Sequence, residues 1–267
     1  MRAFARIAAE ADGRGGTRLT TLRGESPLLL RRTGGRSGGG VTVHLVGGAA
    51  GPLRGDDLRL EVAVGPGAHL TVRSVAAQLA LPGRPAPASR LVIHAEVAGI
   101  LHWLPEPLIA AAGCDHVTST VVEVAEGGEL LWRDDLVCGR HAEPPGDVRL
   151  ETTIRYAGRT LYRHDLTVGR HAGGWDGAAV LGDGRAAGTV VAVPGLPKGV
   201  GGALTASSGA ALMPLAGPGV LATAVGPDIR HVRAALDPLC EPAPPPAIPH
   251  PTTDRPTADR PTADRAA

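Results

Sequence analysis

Cysteine, histidine and carboxylate side chains that could do chemistry come together in one short segment. Cys114, Asp115 and His116 are consecutive, and His102 lies about a dozen residues upstream. Imidazole and thiolate groups suit nickel, copper or zinc, and a cysteine near a histidine can also act as a nucleophile. One hypothesis is therefore a metal-dependent hydrolase, or another metalloprotein, that uses Cys114, His116 and His102. The simpler interpretation makes Cys114 a loop residue before the next strand, because no H-x-H or H-E-x-x-H pattern accompanies it.

Other catalytic and nucleotide-binding patterns are absent from the sequence. There is no G-x-S-x-G motif, and the runs GGRSGGG and VGGAAGPLRGD lack the Lys-Ser/Thr pair of a phosphate-binding loop. The formal net charge is only +1, and the chain contains one phenylalanine, two tyrosines and three tryptophans. Nucleic-acid binding needs a basic surplus and usually stacking aromatic residues, so we expect no nucleic-acid partner. The composition favours a binding or scaffold protein over an enzyme.

Alternating apolar and polar residues predict the strands that must position these groups. Leu58–Val64 reads LRLEVAV, and the turn Gly65–Gly67 separates it from a second alternating segment. At least five such strand–turn–strand pairs run from about residue 17 to about residue 193, and each has the signature of a hairpin. The 38 glycines and 24 prolines argue against a helical bundle. We therefore predict a mainly all-β fold of antiparallel sheets built from hairpins, each sheet burying one face.

Few segments have helical spacing, and the C-terminal sequence is a repeat of low complexity. Pro227–Leu239 is predicted as a helix capped by Asp228, and Leu104–Ala112 as one or two helical turns. We predict one β domain over 1–240 and a disordered tail over 241–267, where TADRP repeats with almost no apolar content. No signal-peptide core or bilayer-spanning stretch is visible, so we expect a soluble cytoplasmic protein without a membrane partner.

Five sequence blocks follow one another in a fixed order over about residues 5–193. They are ADGRGGTRLTTLRGESPLLLRR, HLVGGAAGPLRGDDLRLEVAVGPGAHLTVRSVAAQ, LHWLPEPLIAAAGCDH, ELLWRDDLVCGR and the segment around AGRTLYRHDLTVG. Their order and spacing resemble the family of the urease accessory protein UreD, which is called UreH in some systems. The segment GGAAGPLRGD departs from the two Gly-Gly pairs that are usual in that family.

The resemblance implies a fold, partners and a cargo. The fold would be a helicoidal stack of β-sheets with one or two helices near the C-terminal part. The chain would be a scaffold and metallochaperone rather than an enzyme, binding the urease structural subunits and UreF, with UreG recruited through UreF. It would hold no tightly bound cofactor, since nickel would only pass in transit through a water-filled channel. A tight site would trap the ion, so weak ligands such as carboxylates and water suit this role.

The resemblance also implies candidate residues for the nickel channel. The acidic positions of the family's blocks fall at Asp56 and at Asp134, with Asp135 beside the latter. A later acidic position falls at His164 in this sequence, so the next residue, Asp165, is the candidate there. For Asp56 a turn cap that closes the glycine-rich loop is an equally good interpretation. The tryptophans of two blocks are expected to be core or sheet-face residues rather than site residues; they are Trp103 and Trp132.

Overall fold

The computed structural model of the chain describes residues 1–33, 39–196 and 209–240. The predicted disordered tail, 241–267, lies outside these residues, as does most of the glycine-rich run at 34–40. The predicted division of the chain at residue 240 therefore stays a prediction.

Two β-sheets make up almost the whole fold. Sheet A has seven strands, which are β1 (Arg2–Ala11), β2 (Thr17–Arg23), β5 (Asp57–Val64), β8 (Ser89–Val97), β11 (Asp115–Val124), β13 (Asp147–Tyr156) and β14 (Arg159–Val168). Sheet B has ten strands, which are β3 (Leu28–Thr33), β4 (Val41–Gly47), β6 (His69–Ser74), β7 (Gln78–Ala80), β9 (Ile100–Leu104), β10 (Leu108–Ala110), β12 (Glu129–Val137), β15 (Ala186–Val193), β16 (Ala210–Pro214) and β17 (Val220–Gly226). One helix, α1 (Ile229–Cys240), follows them in the described part of the chain.

The chain alternates between the two sheets and so winds into a stack of coils. Strands β5, β8, β11 and β13 lie side by side in parallel in sheet A. The intervening strands β6, β9 and β12 form a matching parallel ladder in sheet B. Antiparallel pairs close both ends of the stack, among them β1–β2, β3–β4 and β13–β14. The prediction of a mainly all-β helicoidal stack is confirmed.

The prediction of antiparallel hairpins is wrong for the middle of the chain. Consecutive strands such as β5 and β6 join different sheets, because the turn between them carries the chain across the interior. Alternation shows that one face of each strand is buried, but it does not reveal which strand is the hydrogen-bonded neighbour. The turns that follow β5, β8 and β11 start at the same level of the stack, because the last residues of these strands, Val64, Val97 and Val124, lie in register.

Helix α1 covers part of the outer face of sheet B. Asp228 accepts hydrogen bonds from the backbone N–H groups of Arg230 (2.9 Å) and His231 (3.2 Å), as an N-terminal cap does. The predicted helix is thus confirmed. The helical turns predicted over 104–112 are wrong, because this segment contains β10, which pairs with β7 and β12. Two prolines there limit helix formation and leave the segment extended. No helix in the described residues is long and apolar enough to cross a membrane.

The docking of α1 on sheet B predicts a large cost for removing its central apolar side chain. Leu236 is fully buried between the helix and the sheet, so Leu236→Ala should lower the free energy of unfolding by about 2–5 kcal/mol. Leu22→Ala is the matched control, because Leu22 is 38% exposed on β2, and it should cost about 0.5 kcal/mol or less. Urea unfolding followed by circular dichroism measures both. Equal costs for the two variants would contradict this docking.

Candidate functional site

The inner face of sheet A changes from apolar to polar along the stack. One row of residues in register runs through Leu60, Ile93, Thr120, Thr152 and His164. The first two residues pack in the core with neighbouring aliphatic side chains, whereas the last three carry oxygen or nitrogen atoms. Polar groups in the interior of a β-stack need partners or water, so this end of the stack is the place to look for a site.

A second polar row faces the first from sheet B. Asp134, Thr189 and Thr223 are in register on β12, β15 and β17. The two rows meet where Thr152 of sheet A donates a hydrogen bond to Asp134 of sheet B (Oγ1–Oδ2, 3.2 Å). Hydroxyl groups and one carboxylate thus line the space between the sheets.

Two cavities meet at Asp134. The larger has a volume of about 390 Å³ and mostly aliphatic walls. The smaller has a volume of about 200 Å³, and its polar lining comes from Thr152, His164, Thr189 and Thr223. Asp134 and Leu150 line both cavities. Because the cavities share these walls, they adjoin each other between the sheets, and the Asp134 carboxyl group lies at their junction.

The Asp134 carboxyl group is hydrogen-bonded to the protein on one side and borders the two cavities on the other. Its Oδ2 atom accepts hydrogen bonds from the indole Nε1–H of Trp132 (2.8 Å) and from the Thr152 hydroxyl. Burial raises the pKa of Asp134, and the two hydrogen bonds partly oppose that increase. The side chain is nevertheless of intermediate exposure, and the surface it exposes borders the two cavities. Its carboxyl group is therefore accessible to a solute in either cavity.

Asp135, the neighbour of Asp134, turns to the opposite face of β12. Its Oδ2 atom accepts a hydrogen bond from Arg133 Nε (2.9 Å) beneath helix α1, and its Oδ1 lies so close to Gly188 that a larger residue at position 188 would collide with it. Burial raises the pKa of Asp135 to about 6, although the positive charge of Arg133 opposes that shift. Asp135 also borders the larger cavity, but its carboxylate is engaged on the helix side of the sheet. The alternation of strand residues thus separates the two predicted acids.

Asp56 makes the contacts of a turn cap. Its Oδ2 accepts a hydrogen bond from the backbone N–H of Leu53 (2.9 Å), and its Oδ1 lies 2.6 Å from the amino group of Met1. Asp56 borders neither of the two cavities. Of the two interpretations of this residue, the structure favours the cap.

His164 lies on the inner face of sheet A, whereas Asp165, the residue that the sequence analysis selected, lies on the outer face. Asp165 is exposed on the outer face of sheet A, where it pairs with Arg149 (Nη2–Oδ2, 2.5 Å), and it borders neither cavity. His164 points inward and lines the smaller cavity. Burial lowers the pKa of His164 and so favours the neutral imidazole. Counting inward positions along β14 from buried Tyr162 would have selected His164.

Cys114 and His116 are structural residues of the interior. Cys114 is fully buried in an apolar cluster, and burial raises the pKa of its thiol to about 12, which disfavours the nucleophilic thiolate. His116 is 1% exposed, with Ser89 Oγ 2.8 Å from Nδ1 and Thr118 Oγ1 3.0 Å from Nε2. Both ring nitrogens are thus occupied, and burial lowers the pKa of this histidine to about 4.

His102 does not join them. His116 lies at the start of the β8–β11 ladder, whereas β9 begins just after the turn that follows the far end of β8. His102 is therefore near that turn, where its ring packs edge-on against His69 with centroids 4.8 Å apart. Among the described residues, no group of three or more His, Cys, Asp or Glu could hold a metal ion. The hydrolase or metalloprotein hypothesis therefore has no assembled site.

Comparison with known proteins agrees with the resemblance. A family model described as UreD urease accessory protein matches residues 1–255. The Urease accessory protein UreD of Streptomyces coelicolor is 45% identical over 241 residues, which cover 89% of this chain and 94% of the relative. Proteins with the same name from Streptomyces avermitilis and a Parafrankia species are each 44% identical, covering 89% and 90% of this chain and 95% and 88% of the relatives. The chain therefore belongs to the UreD family of urease accessory proteins.

Proposed function

We propose that this chain is the scaffold that passes nickel to apo-urease, and that the two adjoining cavities between its sheets form one path for the ion. In this proposal it binds the urease structural subunits and UreF in the cytoplasm, and UreG joins through UreF. The chain itself catalyses no reaction. Membership of the family supports the role in urease maturation. The observation that carries the proposed route is the carboxylate of Asp134 at the junction of the two cavities.

The chemistry of the path suits a passing divalent cation. Asp134 supplies one negative charge, and the threonine hydroxyls of the smaller cavity supply neutral oxygen atoms. Oxygen ligands of this kind bind nickel more weakly than clustered thiolates or imidazoles do. An ion that must enter and leave needs binding that is favourable but weak. His164 adds one neutral nitrogen ligand farther along, in the smaller cavity.

The first test is assembly and nickel content. The chain is co-expressed with the UreF, UreG and urease structural subunits of its host, and the complex is recovered through a tag on this chain. We expect UreF and apo-urease in the recovered complex, and we expect nickel-poor urease when the chain is omitted. Full nickel loading of urease without this chain would contradict the proposal.

Replacing the junction carboxylate should separate delivery from stability. Asp134→Asn removes the charge but keeps an oxygen that can accept the hydrogen bonds of Trp132 and Thr152, so nickel per urease should fall several-fold. A pKa that is raised in the folded state means that the folded protein loses stability as the pH rises through that pKa. The variant escapes this loss, so its melting temperature at pH 8 should equal or exceed that of the parent chain.

Asp165→Asn is the matched control for that variant, because it makes the same change on the outer face of sheet A. It should deliver nickel like the parent. Equal delivery by Asp134→Asn and Asp165→Asn would rule out the route through Asp134.

The parent chain should also deliver more nickel as the pH rises, because a proton competes with nickel for the Asp134 carboxylate.

A second variant blocks the path without changing its charge. Leu150 lines both cavities and is only partly packed, so Leu150→Trp should fill the junction. We expect an intact complex with UreF and apo-urease but several-fold less nickel in the recovered urease. Leu22→Trp, on the exposed edge strand β2, is the control. Normal nickel loading with Leu150→Trp, once its fold is verified by circular dichroism, would contradict transit through this junction.

A further inference from the structure

The two oxygen atoms of Asp134 have different surroundings. Oδ2 accepts both hydrogen bonds given to the side chain, at 2.8 Å from Trp132 Nε1 and 3.2 Å from Thr152 Oγ1. In the described part of the chain, Oδ1 has no such donor, and the carboxyl group borders both cavities. A solute on the path therefore meets a carboxylate with one oxygen already occupied.

The two donors are held rigidly. Trp132 is 1% exposed, and its indole stacks on that of Trp103 with centroids 4.7 Å apart and planes 5° from parallel. Thr152 is 6% exposed on β13, on the opposite sheet. Trp132 and Asp134 are two positions apart on one strand, so both side chains point to the same face. Neither donor can follow a moving carboxylate far without leaving its packing.

We propose that Trp132 and Thr152 are positioning residues that restrict Asp134 to binding nickel through a single oxygen. This inference rests on the proposed transit of nickel past Asp134. A carboxylate that chelates a cation uses both oxygens, and hydrogen bonds from Trp132 and Thr152 to Oδ2 compete with the second bond. Hydrogen bonds to a charged acceptor are also stronger than those between neutral groups, so displacing them has a cost. The resulting site holds the ion weakly enough to release it.

The two tryptophans whose indoles stack on each other, Trp103 and Trp132, differ in a way that provides an internal control. The Nε1–H of Trp132 reaches Asp134, whereas the Nε1–H of Trp103 is buried without a hydrogen-bond partner in the described residues. Phenylalanine keeps an aromatic ring at either position but removes the donor. Trp132→Phe therefore changes the environment of Asp134, whereas Trp103→Phe leaves its hydrogen bonds in place.

The test measures nickel binding by the purified full chain, using equilibrium dialysis with Ni²⁺ alone between pH 6 and pH 9. At the upper end of this range, Trp132→Phe and Thr152→Val should each bind nickel several-fold more tightly than the parent. Trp103→Phe should match the parent, and adding Asp134→Asn to Trp132→Phe should erase the gain in affinity.

The outcomes separate this inference from the proposed function. Unchanged or weaker binding by both Trp132→Phe and Thr152→Val at every pH would overturn the inference, even if the parent delivers nickel through Asp134. A gain in affinity that survives the addition of Asp134→Asn would overturn it as well. Failure of Asp134→Asn to reduce delivery would instead contradict the proposed route, whatever the binding data show. Thr152→Val keeps the test valid if Trp132→Phe does not fold.

Discussion

The space between the two sheets is the constraint on which the rest of the structure depends. Every coil crosses this space, so the inward side chains of both sheets must fill it together. In the early coils, buried aliphatic residues such as Leu60 and Val72 occupy most of it, and Leu60 also lines the larger cavity. In the last coils, threonines and an aspartate replace them, and these shorter polar side chains leave cavities. The smaller cavity thus follows from the change in side-chain type along the interior, whereas loop residues such as Pro52 and Ala76 complete the wall of the larger one.

A buried carboxylate in that interior costs stability, and the strand register limits the cost. Trp132 and Asp134 share a face of β12, and Thr152 faces them from β13, so two donors reach one oxygen. They lower the pKa of Asp134 against the opposing effect of burial, yet the pKa stays above its usual value. A residue kept only for packing would be replaced by an apolar one without loss. A carboxyl group that remains costly after such support is typical of a functional position.

Sequence reasoning predicted the type of structure better than its connections. Alternation correctly predicts the strands and the buried faces, and helical spacing correctly predicts α1. The pairing of strands was missed because a strand that crosses to another sheet has the same period of two as one that turns back. The same period of two also decides which of two neighbouring residues, His164 or Asp165, points into the interior. The resemblance selected Asp134, but the inward direction of His164 and the outward direction of Asp165 depend on counting from a residue whose burial is known.

The opposite directions of Asp134 and Asp135 link the two cavities to helix α1 through strand β12. Arg133 pairs with Asp135 at 2.9 Å and with Asp237 of the helix at 2.6 Å, so the ion pairs bridge the strand and the helix. The negative charge of Asp134 adds to the rise in the pKa of Asp135. One strand thus carries both carboxylates on its two faces, Asp134 towards the cavities and Asp135 in the ion pair beneath the helix, and the repulsion between their charges couples the two faces.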